Sequence, residues 1–238
     1  MHQLEISNIT IDVVRKSIKN MHLSVYPPTG RVRVAAPLNI DDESIKLFAI
    51  SKLAWIKRHQ RDFKKQDRQS PRAFEERESH FYNGIRYLLR VHECNAVPKV
   101  VIKNKTHIDL YIRPGSSNEL IKTILNEWYR KELKELLPAI IAKWEAIIGV
   151  KLEGWGVKQM KTKWGSCNIV SKRIWINLEL AKKPARCVEY IVVHEMVHLL
   201  ERHHNDRFLQ YMNQYLPKWK SLKEELNRLP VSHAEWHY

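Results

Sequence analysis

The sequence predicts an α+β protein. A β-rich N-terminal half with one helix is expected over residues 1–115, and a helical half with a short antiparallel sheet over 116–238. Three observations lead there. Apolar residues alternate in short runs through the first half. From residue 116 onward they recur at helical spacing. The composition, 44% apolar and 28% charged, is that of a chain able to bury a core. A length of 238 residues suits one large domain or two small ones, and the composition excludes a disordered or collagen-like chain.

The elements follow in order. Leu4 and Ile6, then Ile9, Ile11 and Val13, read as a strand pair. Leu23 and Val25, then Val32 and Val34, flank the turn signal Pro27-Pro28-Thr29-Gly30, so an antiparallel meander is expected. Asp41-Asp42-Glu43 opens a helix whose acids complement its dipole, with Ile45, Phe48, Ala49, Leu53 and Ile56 as the apolar stripe. That helix ends in a basic run (Lys57, Arg58, Arg61, Lys64, Lys65, Arg68, Arg72) against Asp62 and Asp67. The run reads either as a solvated helix end or as a docking face for an anionic partner. Asn83-Gly84 is a hairpin signal. Alternation at Ile85, Tyr87, Leu89 and Val91, at Val100 and Ile102, and at Ile108, Leu110 and Ile112 implies more antiparallel sheet.

Ser116 with Glu119 forms a capping box for a long helix through Leu120, Ile121, Ile124, Leu125 and Trp128. Pro138 should kink or break it. Leu137, Ile140, Ile141, Trp144 and Ile148 continue the face, and Gly149 closes it. Short strands are expected over 157–162 and 173–177, around Lys163-Trp164-Gly165-Ser166-Cys167. Gly165 reads as a positive-φ turn residue and Trp164 as core, or the segment serves substrate. A helix over about 185–201 starts at Pro184, and two more helices follow, split by Pro217.

Several classes are excluded. No stretch approaches the ~18 apolar residues of a membrane span, and Met1-His2-Gln3-Leu4-Glu5 lacks the features of a secretory signal. No membrane partner and a cytoplasmic location are expected. Cys94, Cys167 and Cys187 are too few and too scattered for a disulfide scaffold or a CxxC zinc knuckle. The net charge of +15 bears on partners rather than fold, and favours nucleotides, nucleic acid or acidic protein unless the lysines are simply solvated.

His194-Glu195-Met196-Val197-His198 carries the chemistry. Residues i and i+4 share a helix face about 5–6 Å apart, so both imidazoles can reach one zinc ion, with Glu195 beside it to take a proton from a bound water. A catalytic zinc needs a third protein ligand and one open position. His204 is the expected third ligand, since Asn205 and Asp206 read as the cap of the next helix and the chain must turn there. His203, Asp206 and Glu201 remain within reach. Glu201 is expected to hold an imidazole N–H instead.

The run HEMVHLLERHHNDRF (His194 to Phe208), with MKTKWGSC (Met160 to Cys167) and IWINLELAKKP (Ile174 to Pro184), resembles the YgjP-like metal-dependent hydrolases, relatives of the SprT and WLM zincin-like peptidases. The resemblance implies a zincin-like catalytic half over 116–238, zinc held by His194, His198 and His204, and Glu195 as the base. It also implies an edge strand before the active-site helix that aligns substrate. The sequence departs from the metzincin pattern, which has Gly where Glu201 stands.

A zinc metallopeptidase acting on a polypeptide is therefore the leading expectation. Lys161, Lys163, Trp164, Ser166 and Arg207 are candidate substrate-binding residues. A nucleotide pyrophosphohydrolase is the alternative, motivated by eight basic residues against one acid from Lys158 to Arg186, because Lys and Arg clamp phosphate oxygens. A SprT-like protease recruited to nucleic acid combines the two. A non-catalytic zinc module would need a fourth ligand such as Cys167, His233 or His237.

Overall fold

The structure, a computed structural model, describes residues 2–26, 29–65, 73–160 and 163–229. It is α+β, with six α-helices and three small sheets among the described residues. The chain divides into two compact units, Met1–Asp67 and Arg68–Tyr238.

The first unit contains β1 (His2–Ile6), β2 (Ile9–Lys16), β3 (His22–Tyr26), β4 (Arg31–Pro37), α1 (Asp42–Ser51) and α2 (Leu53–Lys65). The expected meander is not what forms. The strand order is β1-β2-β4-β3, with β2 and β4 parallel and the outer pairs antiparallel. Alternation marks which face of a strand is buried and says nothing about its neighbour. Ile11, Val13, Val32 and Val34 point into a core closed by Ile45, Ala49 and Ile56. Asp41 caps α1 by accepting from the Ser44 N–H at 2.6 Å. The single expected helix is broken at Lys52, whose φ of −107° and ψ of 5° leave the helical region.

The second unit opens with β5 (Ser79–Tyr82), β6 (Ile85–Glu93), β7 (Lys99–Lys103) and β8 (His107–Ile112). Their order, β5-β6-β8-β7 with β6 and β8 parallel, repeats that of the first sheet. Asn83 and Gly84 make the expected hairpin turn with φ of 48° and 77°. Tyr87, Leu89, Ile108 and Leu110 share one core with the following helices. The boundary therefore lies ahead of β5 rather than near residue 115.

α3 (Asn118–Ile148) is one continuous helix. Its cap is Ser117, which accepts from Leu120 N–H, while the Ser116 hydroxyl donates to the Arg113 carbonyl. Pro138 does not break it. Pro138 and Lys134, whose carbonyl loses its donor, are both exposed, so water can satisfy that group. Leu133, Leu137 and Ile141 carry the buried stripe straight through.

β9 (Gly154–Lys158), β10 (Gly165–Asn168) and β11 (Arg173–Asn177) form the third sheet, in the order β10-β11-β9. It is mixed rather than antiparallel, because β9 and β11 run parallel. The WGSC segment, expected between strands, is itself largely β10. A 3-10 turn (Leu178–Lys182) leads into α4 (Ala185–Val197), and α5 (Asp206–Tyr215) and α6 (Trp219–Arg228) follow on either side of Pro217. No helix among the described residues is long and apolar enough to cross a membrane.

Candidate metal centre and active site

α4 is held on all sides. Its N-terminus has no side-chain cap of its own, since Pro184 stands there. The β5–β6 turn supplies one: Ala185 N–H donates to Asn83 Oδ1 at 2.9 Å, while Asn83 and Gly84 N–H groups donate to the Ala181 and Lys182 carbonyls. A Cβ on Gly84 would stand 2.6 Å from Pro184 Cγ, so only glycine allows this approach. From α3, Lys143 Nζ and Trp144 Nε1 both donate to Glu189, at 2.7 and 2.8 Å. Arg186 Nε donates to Glu225 of α6 at 2.8 Å.

α4 ends at Val197, short of the expected 201, and the chain turns at once. Leu199, Leu200 and Glu201 N–H groups close the turn onto Met196 and Val197 carbonyls. Asn205 then caps α5 through the Phe208 N–H at 3.0 Å. This turn returns His204 to α4, where its Nε2 lies 3.0 Å from His194 Nε2. His194, His198 and His204 offer ring nitrogens that all lie within 4.8 Å of one another. Ligands about 2.0–2.1 Å from one zinc ion stand roughly 3.3 Å apart in a tetrahedron, so the spacing fits a shared ion. Phe208, buried under the three rings at centroid distances of 5.0, 4.7 and 4.7 Å, fixes their orientation. Sequence reasoning passed over it, although its place one turn into a capped helix brings it under the histidines.

The protonation chemistry also fits a cation. Burial, then the neighbouring His198 and His204, lowers the His194 pKa to about 3. Burial lowers His198 and His204 as well. Neutral imidazoles are the ligand form. His198 Nδ1 lies 3.1 Å from the Glu201 carbonyl oxygen. An oxygen there can only accept, so the proton sits on Nδ1 and Nε2 keeps its lone pair. The partner expected of the Glu201 carboxylate is thus its own backbone carbonyl. The carboxylate instead accepts from the His203 N–H at 3.0 Å and braces the turn.

Glu195 is buried, at 5% exposure. Burial pushes its pKa up to about 8, against the pull of Lys163. The carboxyl lies under β10, where a Cβ on Gly165 would meet Glu195 Oε1 at 2.5 Å. Gly165 does not adopt positive φ. It is needed because the carboxylate occupies the space of its missing side chain.

The remaining candidates are dispersed. Lys163 is exposed and close enough to act on Glu195. Trp164 packs on the core, with Lys183 over its ring at 5.6 Å. Ser166 sits in β10 opposite Trp175. Arg207 is turned to the Tyr211 hydroxyl, at 3.2 Å. Cys167 is outside the histidine cluster, and burial followed by the Glu195 charge pushes its pKa up to about 11. Lys161, His233 and His237 lie outside the described residues. The basic run beside the site is largely taken up within the fold: Lys182 pairs with Glu179 at 2.9 Å, Arg186 with Glu225, and Lys158 and Arg173 lie over Trp175.

Asn177 was not anticipated. Its amide nitrogen donates to the Met160 and Lys163 carbonyls at 2.9 and 2.7 Å, and its Oδ1 accepts from Met160 and Glu179 N–H. One buried side chain thereby ties down both flanks of the segment that leads into β10.

No curated protein matches the chain. Among solved structures, the metallopeptidase zymogen of Pyrococcus abyssi abylysin is similar at a TM-score of 0.35 and 15% identity, over 37% of this chain and 89% of that one. The metallopeptidase zymogen of Methanocaldococcus jannaschii jannalysin is similar at 0.32 and 18%, over 39% and 91%. The family described as "YgjP-like, metallopeptidase domain" matches residues 19–229, which include both units' helices and every residue of the histidine and glutamate cluster, and the chain belongs to that family.

Proposed function

We propose that the protein is a zinc-dependent, zincin-like peptidase. Its ligands are His194, His198 and His204, and Glu195 is its general base. One observation carries the reading: three imidazoles converge within 4.8 Å of one another, and Glu195, next to His194 on α4, is buried against Gly165 of β10, the end strand of a small sheet. A zinc ion bound there would supply Lewis acidity, polarising the scissile carbonyl and making a water in its open position acidic.

Glu195 does the proton work. Its carboxylate oxygen takes a proton from the attacking water and returns it to the leaving amine nitrogen. Gly165 and the rest of β10 cover the carboxyl and keep bulk water from it. β10 ends its sheet, so an extended polypeptide can add to its free edge through backbone hydrogen bonds. That addition would lay the scissile bond across Glu195 and the histidines. The substrate is accordingly a polypeptide in extended form, and Lys163 at the mouth of the site favours acidic side chains.

Digestion of a peptide library by the zinc-loaded protein tests this. Wild type is expected to cleave. Glu195→Gln is expected to keep its zinc and lose about 10²–10⁴-fold in kcat, the usual contribution of a general acid–base group. His204→Ala is expected to lose zinc where His203→Ala retains it. Absence of any cleavage by wild type with one zinc bound, or full zinc in His204→Ala, overturns the assignment.

A further inference from the structure

We infer that Lys183 is a positioning residue for Glu195: its ammonium, buried in the fold over the face of Trp164, holds the lead into β10 so that Gly165 stays seated over the carboxyl. What this does for catalysis rests on the peptidase reading; the contacts themselves do not.

Lys182 and Lys183 are neighbours in the chain with different uses. Lys182 closes the 3-10 turn, pairs with Glu179 at 2.9 Å and lies over the Tyr129 ring at 5.2 Å. Lys183 has left the turn, with φ of −102° and ψ of 157°. Its side chain runs into the fold and is only 4% exposed. Burying an ammonium is costly unless something replaces its water. The Trp164 indole does part of this, with Nζ 5.6 Å from the ring centroid, because the negative face of the ring attracts a cation, and does so more strongly out of water.

That attraction reaches the site through two residues. Trp164 packs on the core of the second unit, and its carbonyl accepts from the Asn177 N–H at 2.9 Å, which ties its backbone to β11. Gly165 comes next in the chain, so the resting place of the Trp164 ring sets the position of the Gly165 Cα. Gly165 in turn lies against Glu195, so closely that a Cβ there would stand 2.5 Å from Oε1. A contact this close has little tolerance. A small shift of Trp164 drives Gly165 onto the carboxyl or draws it off and lets water in. Asn177 holds the backbone of the lead through the Met160 and Lys163 carbonyls, and Lys183 holds its ring.

The hold depends on charge. Burial lowers the Lys183 pKa to about 8, while Glu179 raises it, Lys182 lowers it and Cys187 raises it by smaller amounts. Among the described residues these are the titratable groups that face it, two from the 3-10 turn and one from α4. Above that pH the amine is neutral and its attraction to the indole is lost. The rate of cleavage is therefore expected to fall as pH rises through about 8. Glu195 does not produce such a limb, since losing its proton makes it a base and raises the rate. Stability moves the other way. Between about 8 and the ordinary 10.5 the unfolded chain binds the proton and the folded chain does not, so the fold gains stability over that range as pH rises. A rate that falls while stability climbs separates positioning from a merely structural role.

The test compares zinc-loaded wild type, Lys183→Met and Lys183→Arg by amide hydrogen exchange over residues 163–168 and by peptide cleavage against pH. Lys183→Met, about as long and uncharged, is expected to exchange faster over 163–168. With zinc content intact, it is expected to lose about tenfold or more in kcat at neutral pH, within the ~10²-fold that a displacement of about 1 Å can cost. Lys183→Arg stays charged throughout, and is expected to restore slow exchange and to move the alkaline limb up by about one unit or more. Urea unfolding of wild type is expected to show stability rising across that limb. Tyr82→Phe, which removes the bond to Glu132, is a destabilised control expected to exchange over 163–168 as wild type does. The inference is overturned if Lys183→Met exchanges there like wild type, if it speeds exchange equally along α5, or if Lys183→Arg and wild type share one alkaline limb. A wild type that cleaves no peptide removes the peptidase reading instead, and exchange over 163–168 still decides whether Lys183 holds β10.

Discussion

Gly165 lies extended in β10, and any side chain there would enter the space of the Glu195 carboxylate, 2.5 Å from Oε1. The added Cβ would also meet Glu195 Cγ at 2.7 Å and Cδ at 2.9 Å, so the carboxyl must shift. A displacement of about 1 Å of a catalytic group can cost ~10²-fold in rate. Gly165→Ala is therefore expected to lower kcat for peptide cleavage by about that factor with zinc content intact. Adding Glu195→Asp, one methylene shorter, should cost less in the Gly165→Ala background than in wild type. Steady-state kinetics on the four proteins of this cycle measures the coupling, and strictly multiplicative losses would contradict the packing argument. The same residue shows the limit of sequence reading. Glycine between Trp164 and Ser166 suggested a turn, and the turn reading was wrong because the reason for glycine is a carboxylate 30 positions away.

Asn177 acts on the next scale up. At 4% exposure, its amide satisfies three backbone groups, on Met160 and Lys163, that flank the lead into β10, and the Glu179 N–H of the 3-10 turn. Removing the amide leaves four part-buried donors and acceptors without their partner, at up to about 1–3 kcal/mol each where water cannot reach them. Asn177→Ala is expected to destabilise the second unit by about 2–4 kcal/mol, read from urea unfolding, and to weaken peptide binding through β10. An effect below ~1 kcal/mol would show that water replaces the clamp. Other elements were more or less legible according to how local their causes are. α5 is capped by Asn205, three residues before the N–H it accepts, and its start was readable. α4 is capped by Asn83, 102 positions away, and no local pattern could announce that. Pro138 is the converse case: a local rule predicted a kink or a break, and the helix runs on unbroken, with Leu133, Leu137 and Ile141 packed on the core across it.

At the scale of the whole molecule, the two units carry separate acid-sensitive contacts. In the first, burial opposes the charge of Asp12, but hydrogen bonds from Gln3 and Arg31 and the charges of Arg31 and Arg33 outweigh it and hold the pKa below its ordinary 3.8. A carboxyl whose pKa is depressed on folding stabilises the fold above its unfolded pKa and loses that contribution as pH falls through the folded value. The first unit is expected to keep its full stability down to about pH 4 and to lose it progressively below. Asp12→Asn should be less stable at neutral pH and show a flatter dependence over that acid range. Thermal melts followed by the emission of Trp55, the one tryptophan of that unit, in a chain with the other tryptophans replaced by phenylalanine, measure it. An identical acid profile in both proteins would remove Asp12 from the account. The strand orders are also decided at this scale. Both four-stranded sheets place their last strand inside, parallel to the second, which alternation cannot encode because it records burial and not partnership.

By itself the sequence determined most of the elements and pointed to the cluster: the α+β class, nearly every helix, the Asn83-Gly84 hairpin, and the three histidines His194, His198 and His204 that the structure brings together, with Glu195 beside the first of them in sequence. Each of these follows from spacing along a few turns of chain, where geometry is set by the backbone's own periodicity. Tertiary structure alone decided the sheet orders, the boundary at 67, the cap on α4, the clamp of Asn177 and the glycine that admits the glutamate. Those depend on contacts between residues tens of positions apart, and such contacts exist only once the cores have closed.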